Sequence, residues 1–230
     1  MARPESGSLT VEAFSRIRAE ILSCRLPPGQ KLVISDLCQQ LGFSLGAVRE
    51  ALARLTSEGL VEAEPRKGFR VAPITEADLK DITAVRATIE SLCLQSAILH
   101  GDVKWETNIV STLFELSRTD LQDADDPARV SEAWADVHRR FHAALVAACD
   151  SPWLLRLREI LFVQSERYRR VSVPLNRAGR DLHAEHKQIA DAAIARDGDR
   201  ATAALREHLE TTTRILIGSA VVKAHETDAA

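Results

Sequence analysis

The secondary-structure signals of this chain change character at Pro73. Before it, helical stretches are followed by two strand-like stretches, 60–64 and 68–72, joined by a turn that begins at Pro65. After it, apolar residues recur only at helical spacing. The sequence therefore predicts a mainly α fold in two parts, a small helix-and-strand unit over 1–74 and an all-helical bundle over 75–230.

Prolines and capping residues set the predicted helix boundaries. The N-terminal helices are predicted over 9–24, 35–41 and 44–59. About six helices follow, over 75–99, 104–121, 128–148, 152–171, 177–196 and 200–222. Ser44 is the predicted N-cap of the third helix. Pro127 and Pro152 are predicted in the first turns of two later helices, capped by Asp126 and Ser151.

The composition excludes several protein classes. An apolar content of 45% and a net charge of -3 are values of a soluble globular chain. No uninterrupted apolar stretch approaches the roughly 18 residues of a membrane span, and the N-terminus lacks the apolar segment of a signal peptide. The four cysteines show no close pairing, which favours reduced thiols. We therefore expect a cytoplasmic protein with no membrane partner.

Three helices followed by a two-stranded hairpin are typical of a winged helix-turn-helix. A helix about 10–12 Å wide fits the major groove of B-DNA, so the third helix is the candidate reading element. Arg49 and Arg54 are its basic candidates for DNA contact. Arg66 and Lys67 at the hairpin tip are placed for phosphates or the minor groove. The alternative is that these basic faces are only solvated.

Four stretches of the first unit carry a specific family resemblance. They are 21–32, 37–44, 48–55 and 58–61. Together they resemble the GntR family of bacterial transcription regulators over nearly the whole of 9–73. The resemblance implies a homodimer that reads a short, two-fold symmetric operator in double-stranded DNA, most commonly as a repressor. It also implies DNA contact by Ser44, Arg49, Arg66 and Lys67.

One tripeptide departs from the family pattern. Leu45, Gly46 and Ala47 stand where the family usually has Arg-Thr-Pro. The missing arginine is commonly a DNA contact in the family, and a leucine cannot make its bidentate bond to guanine. Leu45 could instead touch a thymine methyl group. The operator is therefore expected to differ from those of relatives, or base-specific affinity to be lower.

All seven histidines lie at or after residue 100. His138 and His142 are four apart, so they share one helical face. His186 and His208 lie on two later predicted helices, and facing helices of a bundle can bring such side chains together around a metal. The alternative is a set of partly buried, hydrogen-bonded histidines without a metal.

The helical part resembles the FadR-type branch of the family, which has an all-helical (FCD) effector domain. Metal-binding members carry Asp-x-x-x-His on one helix and one histidine on each of two later helices, which matches His142, His186 and His208. His138 replaces the aspartate, so the implied ligand set is all imidazole. Zinc is the first expectation and nickel the second, because imidazole suits these ions better than magnesium or manganese. Without ligation by His138, the site would be weak or empty.

The same resemblance implies an effector. Members with this site generally sense small organic acids, whose carboxylate meets the metal. Arg86 matches a position that can help bind the acid, although it could instead only pair with Glu90 one turn away. His183, three residues before His186, is a candidate effector or outer-sphere contact, or a surface residue.

Other functions remain open at this level. With four histidine ligands the metal could be purely structural, and the chain could also be a metal-storage bundle that carries a winged helix. A metal-dependent hydrolase or oxygenase is disfavoured. Arg139, Arg140 and Phe141 separate the paired histidines, so the glutamate base of an HExxH motif is missing. The sequence predicts a regulator and not an enzyme.

Overall fold

The computed structural model describes residues 6–175 and 179–219. These residues divide into two compact units between Thr75 and Glu76. The first unit has the element order α1 (Ser6–Leu22), β1 (Lys31–Leu32), α2 (Ile34–Leu41), α3 (Leu45–Ser57), β2 (Val61–Glu64) and β3 (Gly68–Val71). Its three strands form an antiparallel sheet in the order β1-β3-β2. This is the winged helix-turn-helix arrangement that the sequence predicts.

The core of the first unit forms where α1 packs on α3. Ile17 and Ile21 on α1, and Leu52 and Leu55 on α3, are fully buried. Gly42 ends α2 in the left-handed conformation with φ 75°, which glycine adopts without the penalty of a Cβ. The chain can therefore turn sharply between α2 and α3. Strand β1 was not predicted, because two residues are too short to show an alternating pattern.

The second unit consists of six helices among the described residues, as the sequence predicts. They are α4 (Glu76–His100), α5 (Val103–Arg118), α6 (Glu132–Leu145), α7 (Pro152–Leu175), α8 (Leu182–Ile194) and α9 (Gly198–Ile217). Helix α4 packs against α7, α8 and α9, and α5 packs against α6 and α8. Leu94, Ile109, Phe141 and Ile189 are fully buried between them.

Helix α4 is long and apolar enough, by length and composition, to cross a membrane. Its buried side nevertheless carries Arg86 and Glu90, which form an ion pair within the bundle. Packing against three other helices makes it the core helix of this unit.

The predicted start of the third bundle helix is wrong. Helix α6 begins at Glu132, with the Ser131 hydroxyl accepting the Trp134 N–H at 3.4 Å. Asp126 instead accepts the Ala128 N–H at 3.1 Å, so Asp126 and Pro127 form a turn. Aspartate before proline fits a helix cap and a turn equally well, and only the surrounding packing decides between them.

Other helix boundaries also differ from the predicted ones. Helix α8 begins at Leu182 with Asp181 as its N-cap, while 177 and 178 of the predicted helix lie outside the described residues. Helix α5 ends at Arg118 and α9 at Ile217. Residues 220–222, predicted in the last helix, lie outside the described range. The predicted cap at Ser151 is present, since its hydroxyl accepts the Leu154 N–H at 3.3 Å.

Candidate metal centre and DNA-binding surface

The N-terminus of α3 carries two of the predicted DNA contacts, Ser44 and Arg49. The Ser44 hydroxyl accepts the Ala47 N–H at 3.3 Å, which confirms the predicted N-cap. Val48 and Leu52 face the core, so Arg49 lies on the exposed side of the helix. Because helix N-termini attract anions, Arg49 and the first turn together present a positive surface.

The other predicted DNA contacts fall into two groups. Arg54 lies 4.2 Å over the Phe14 ring, so it contacts α1 within the unit. At the hairpin tip, Arg66 and Lys67 are exposed. The Lys67 N–H bonds to the Glu64 carbonyl at 3.0 Å, and Arg66 has φ 66°, as the third residue of a type II turn requires. Both cations are therefore exposed in the turn between β2 and β3.

Leu45 is the first residue of α3 and is 53% exposed. Its neighbour Gly46 has open space where a Cβ would be. Leu45 therefore places an apolar side chain, and Gly46 an uncovered backbone, at the N-terminal end of α3. This is the end that would first meet base edges if the helix entered the major groove.

The four predicted metal ligands meet in the interior of the bundle. His138 and His142 on α6, His186 on α8 and His208 on α9 each offer one nitrogen, and these nitrogens lie within 4.8 Å of one another. The Nε2 atoms of His138 and His142 are 3.1 Å apart. All four residues are at most 5% exposed. The sequence predicted this convergence from three helices, and the fold brings it about.

Burial keeps these imidazoles neutral. Desolvation, followed by repulsion from the neighbouring histidines and arginines, lowers the pKa of His138 and His142 well below the usual range. The pKa of His186 is lowered in the same way. Neutral imidazole is the form that binds metals.

The buried nitrogens also lack enough protein partners. His138 Nδ1, His142 Nδ1 and His186 Nε2 have no hydrogen-bond partner among the described residues. Buried polar atoms without a partner are costly, at about 1–3 kcal/mol each. Four neutral imidazoles in one small volume, three of them with a nitrogen that has no partner among the described residues, fit a divalent transition metal better than they fit a packed core.

Glu185 and Arg180 orient one of the four histidines. Nδ1 of His208 lies 2.7 Å from the Glu185 carboxylate, which leaves Nε2 as the ligand atom. Arg180 holds the same carboxylate at 2.6 Å and donates to the His208 carbonyl at 2.9 Å. Burial raises the pKa of Glu185, but the hydrogen bonds from His208 and Arg180 outweigh burial and lower this pKa to about 2. A carboxylate behind a histidine ligand is the usual outer support of metal sites.

Sequence reasoning did not single out Glu185 or Arg180. Glu185 directly precedes the predicted ligand His186, but it supports His208, which lies on a different helix. Adjacency in the sequence gave no sign of this pairing.

A small cavity adjoins the histidines. Its walls include His138, His208, Arg86 and Arg169, together with five hydroxyl groups, and no carboxylate among the described residues. The hydroxyls belong to Thr83, Ser165, Tyr168, Thr212 and Thr213. Two guanidinium groups thus line this cavity, and each also pairs with a carboxylate outside the wall, Arg86 with Glu90 and Arg169 with Glu166.

The structure shows one of the two roles considered for Arg86, the intrahelical pair, and places its side chain in the wall of the cavity. Its Nε bonds to Glu90 at 2.6 Å, and its Nη1 bonds to Ser165 at 2.7 Å. The pair is buried, and Arg158 approaches the same carboxylate at 3.8 Å. Burial raises the pKa of Glu90, but the positive charges of Arg86 and Arg158 outweigh burial and lower this pKa below its usual value. Arg86 is therefore an intrahelical partner and a wall of the cavity at once.

Arg169 is the cavity cation that sequence reasoning missed. It pairs with Glu166, and its guanidinium lies 5.1 Å over the Trp134 ring, which stacks on His138. Its Nη1 is buried with no hydrogen-bond partner among the described residues.

His183 does not join this group. Although it is three residues from His186, it is exposed and lies at two surface grooves, not at the cavity beside the histidines. Residues three apart on a helix are separated by about 60° around its axis, which is enough to turn His183 to the surface. Among the alternatives considered for His183, its exposed position agrees with a surface residue.

The sequence matches two known families. Residues 9–71 match "Bacterial regulatory proteins, gntR family", and residues 81–211 match "FCD domain". The chain is 39% identical over 209 residues to the HTH-type transcriptional regulator BphR of Paraburkholderia xenovorans strain LB400, covering 91% of this chain and 85% of the relative. It is 33% identical over 211 residues to the HTH-type transcriptional repressor GlaR of Escherichia coli strain K12, covering 90% and 95%.

Solved structures show the same fold. Escherichia coli McbR/YncC is 23% identical with a TM-score of 0.71, covering 94% of this chain and 98% of that one. A GntR transcriptional regulator from Rhodococcus sp. RHA1 is 22% identical with a TM-score of 0.73, covering 92% and 99%. The curated relatives are regulators and not enzymes. This chain is therefore a DNA-binding transcription regulator, and it belongs to the GntR family with an FCD domain behind its winged helix.

Proposed function

We propose that this regulator is a homodimer that reads a two-fold symmetric operator, holds a divalent metal in its helical unit and responds to a small organic acid. The observation that carries the proposal is the convergence of four buried, neutral imidazoles beside a cavity walled by Arg86 and Arg169. Repression is the expected mode, as in GlaR, whose name describes it as a repressor.

The metal ligands in this proposal are His138, His142, His186 and His208. Zinc is the preferred ion and nickel the second, because the donors are all imidazole nitrogens. When bound, the metal supplies a Lewis-acidic centre that attracts a carboxylate oxygen. Glu185 keeps Nε2 of His208 directed at the cluster, and burial keeps the other three rings unprotonated.

The cavity wall supports an acid as the effector. Arg86 and Arg169 offer guanidinium groups that suit carboxylates, while the hydroxyls offer further hydrogen bonds. An acid that binds one arrangement of the bundle better than another would shift the protein between operator-binding states. A purely structural metal is the second candidate. With a fourth histidine in place of the aspartate, protein side chains alone can complete the coordination of the metal and leave no open position for an effector.

Thermal unfolding separates these two candidates. If the metal anchors the effector, an organic acid at a hundred times its dissociation constant should raise the melting temperature of metal-loaded protein by on the order of 5 °C. Protein stripped with a chelator should show no shift. An equal shift in stripped protein would leave the metal without a role in binding the acid. The same acids should change affinity in an operator shift assay at fixed salt.

Leu45 is expected to set part of the operator sequence. We expect wild-type protein, in selection from random DNA, to prefer a thymine where the start of α3 meets the groove. Leu45→Arg should move that preference to guanine, because arginine forms two hydrogen bonds with its major-groove edge. Leu45→Ala is the control and should only relax the preference. Identical selected sequences for all three proteins would remove Leu45 from the interface.

A further inference from the structure

We propose that Cys93 and Cys149 form a reversible oxidation site, in which a peroxide converts their two thiols into one disulfide. Cys93 lies on α4, and Cys149 lies in the turn between α6 and α7. Both are free thiols in this structure. They are far apart in the sequence, and the folding of the helical unit brings them together. The site is independent of the metal, the effector and the operator of the proposed function.

The turn that carries Cys149 is fixed to α4 beside Cys93. The Ser96 hydroxyl donates to the Asp150 carboxylate at 2.8 Å and accepts the Asp150 N–H at 3.1 Å. Asp150 directly follows Cys149, and Ser96 is three residues after Cys93, on the neighbouring turn of α4. These two hydrogen bonds therefore hold the turn against the stretch of α4 that carries Cys93.

The two thiols contact each other in the interior. A side-chain hydrogen bond joins Cys93 and Cys149, and both residues belong to the apolar core of the helical unit. A disulfide can form only between cysteines that the backbone already holds side by side, with Cα atoms within roughly 7 Å. Cys24 and Cys38 belong to the first unit. Within the helical unit, Cys149 is therefore the cysteine available to Cys93.

The two sulfurs differ in their access to an oxidant. Cys93 is fully buried, and burial raises the pKa of its thiol to about 12. Cys149 is 8% exposed, and Asp150 beside it is exposed. A deeply buried thiol that stays protonated reacts slowly with oxidants. We therefore expect Cys149 to react first and Cys93 to act as the second thiol, which closes the bond.

The oxidation takes two steps. The Cys149 sulfur attacks one oxygen of hydrogen peroxide, the O–O bond breaks, and the products are a sulfenic acid and water. The Cys93 sulfur then attacks the Cys149 sulfur, the S–O bond breaks, and the Cys93 proton leaves with the hydroxyl group as a second water. The two thiols together lose two electrons, which reduce the peroxide. A dithiol reductant reverses the change by thiol–disulfide exchange.

The bond would join α4 to the turn that follows α6. The loop that it closes, 93–149, contains all of α5 and α6. Closing a long loop restricts the unfolded chain and so stabilises the folded state. We therefore expect oxidation to raise the melting temperature by on the order of 5 °C.

Peroxide treatment of a chain that keeps only this pair tests the proposal. Cys24→Ser combined with Cys38→Ser leaves Cys93 and Cys149 as the two thiols of the full-length chain. After incubation with hydrogen peroxide, we expect no titratable thiol in denaturant and a mass lower by two hydrogens. Peptide mapping without reductant should find positions 93 and 149 linked. Dithiothreitol should restore both thiols and the original melting temperature.

Two single-thiol variants on the same background are the matched controls. With Cys93→Ala, peroxide should leave Cys149 as a sulfenic acid that dimedone traps. With Cys149→Ala, Cys93 should remain a thiol under the same conditions, because it is fully buried.

Four results would overturn the proposal. Both thiols of the pair could stay titratable after peroxide, or Cys149 could gain oxygen without becoming linked to Cys93. The bond could join two chains, which a gel without reductant would show. A lower melting temperature of the oxidised protein would show that the bond distorts the folded unit.

Discussion

Replacing His142 and His186 together with alanine should strip the purified protein of its metal. Structural zinc sites bind with roughly 10–16 kcal/mol, so each of four equal ligands contributes about 3 kcal/mol. The double variant should therefore bind about four orders of magnitude more weakly. Elemental analysis after dialysis against a mild chelator should find close to one ion per wild-type chain and less than a tenth of that in the variant.

The matched control is His183→Ala, which removes an exposed imidazole three residues from His186 and should keep the full metal content. Single His138→Ala decides whether the fourth histidine ligates, because a bystander would leave the metal content and affinity unchanged. Circular dichroism should show that the double variant folds, since it also removes buried nitrogens that have no partner. Full metal content in the double variant would reject the site.

Arg49→Ala should strongly weaken specific operator binding while the fold remains intact. Arg49 is exposed on α3 next to its positive N-terminus, and a dimer would lose one contact in each half-site. At about 1–3 kcal/mol for each arginine contact, affinity should fall by a factor between about 30 and 10⁴. A mobility shift or fluorescence anisotropy titration at fixed salt would measure it.

Arg16→Ala is the control for the loss of charge. Arg16 lies on α1, and its side chain is 66% exposed. If general electrostatics dominated, both variants would weaken binding equally and reduce its salt dependence alike. Arg49→Ala alone should lose discrimination between operator and unrelated DNA. An unchanged affinity would move the reading surface away from α3.

The first unit was readable from sequence because its signals are local. Each of these signals depends on residues only a few positions apart. They are the N-cap at Ser44, the left-handed helix end at Gly42, and the buried side of α3 at Val48 and Leu52. The turn at Asp126 and Pro127 was misread because the same two residues can cap a helix or make a turn. Its outcome depends on the contacts made by the following segment.

The candidate metal site also combines local and long-range information. The histidine spacing on α6 is local, and it predicts that His138 and His142 share a face. Whether the faces of α6, α8 and α9 point at one another depends on how each helix is rotated in the bundle. That rotation is decided by packing between helices distant in sequence, and it turned His186 inward and His183 outward.

The residue pattern alone predicted the two-part fold, the basic third helix and the imidazole groups of the helical unit. The packed structure showed that Glu185 supports His208 and that Arg169 lines the cavity together with Arg86. The difference lies in the distance along the chain over which each interaction acts. Helix periodicity and capping act within one or two turns, whereas these juxtapositions join side chains that only the packed core brings together.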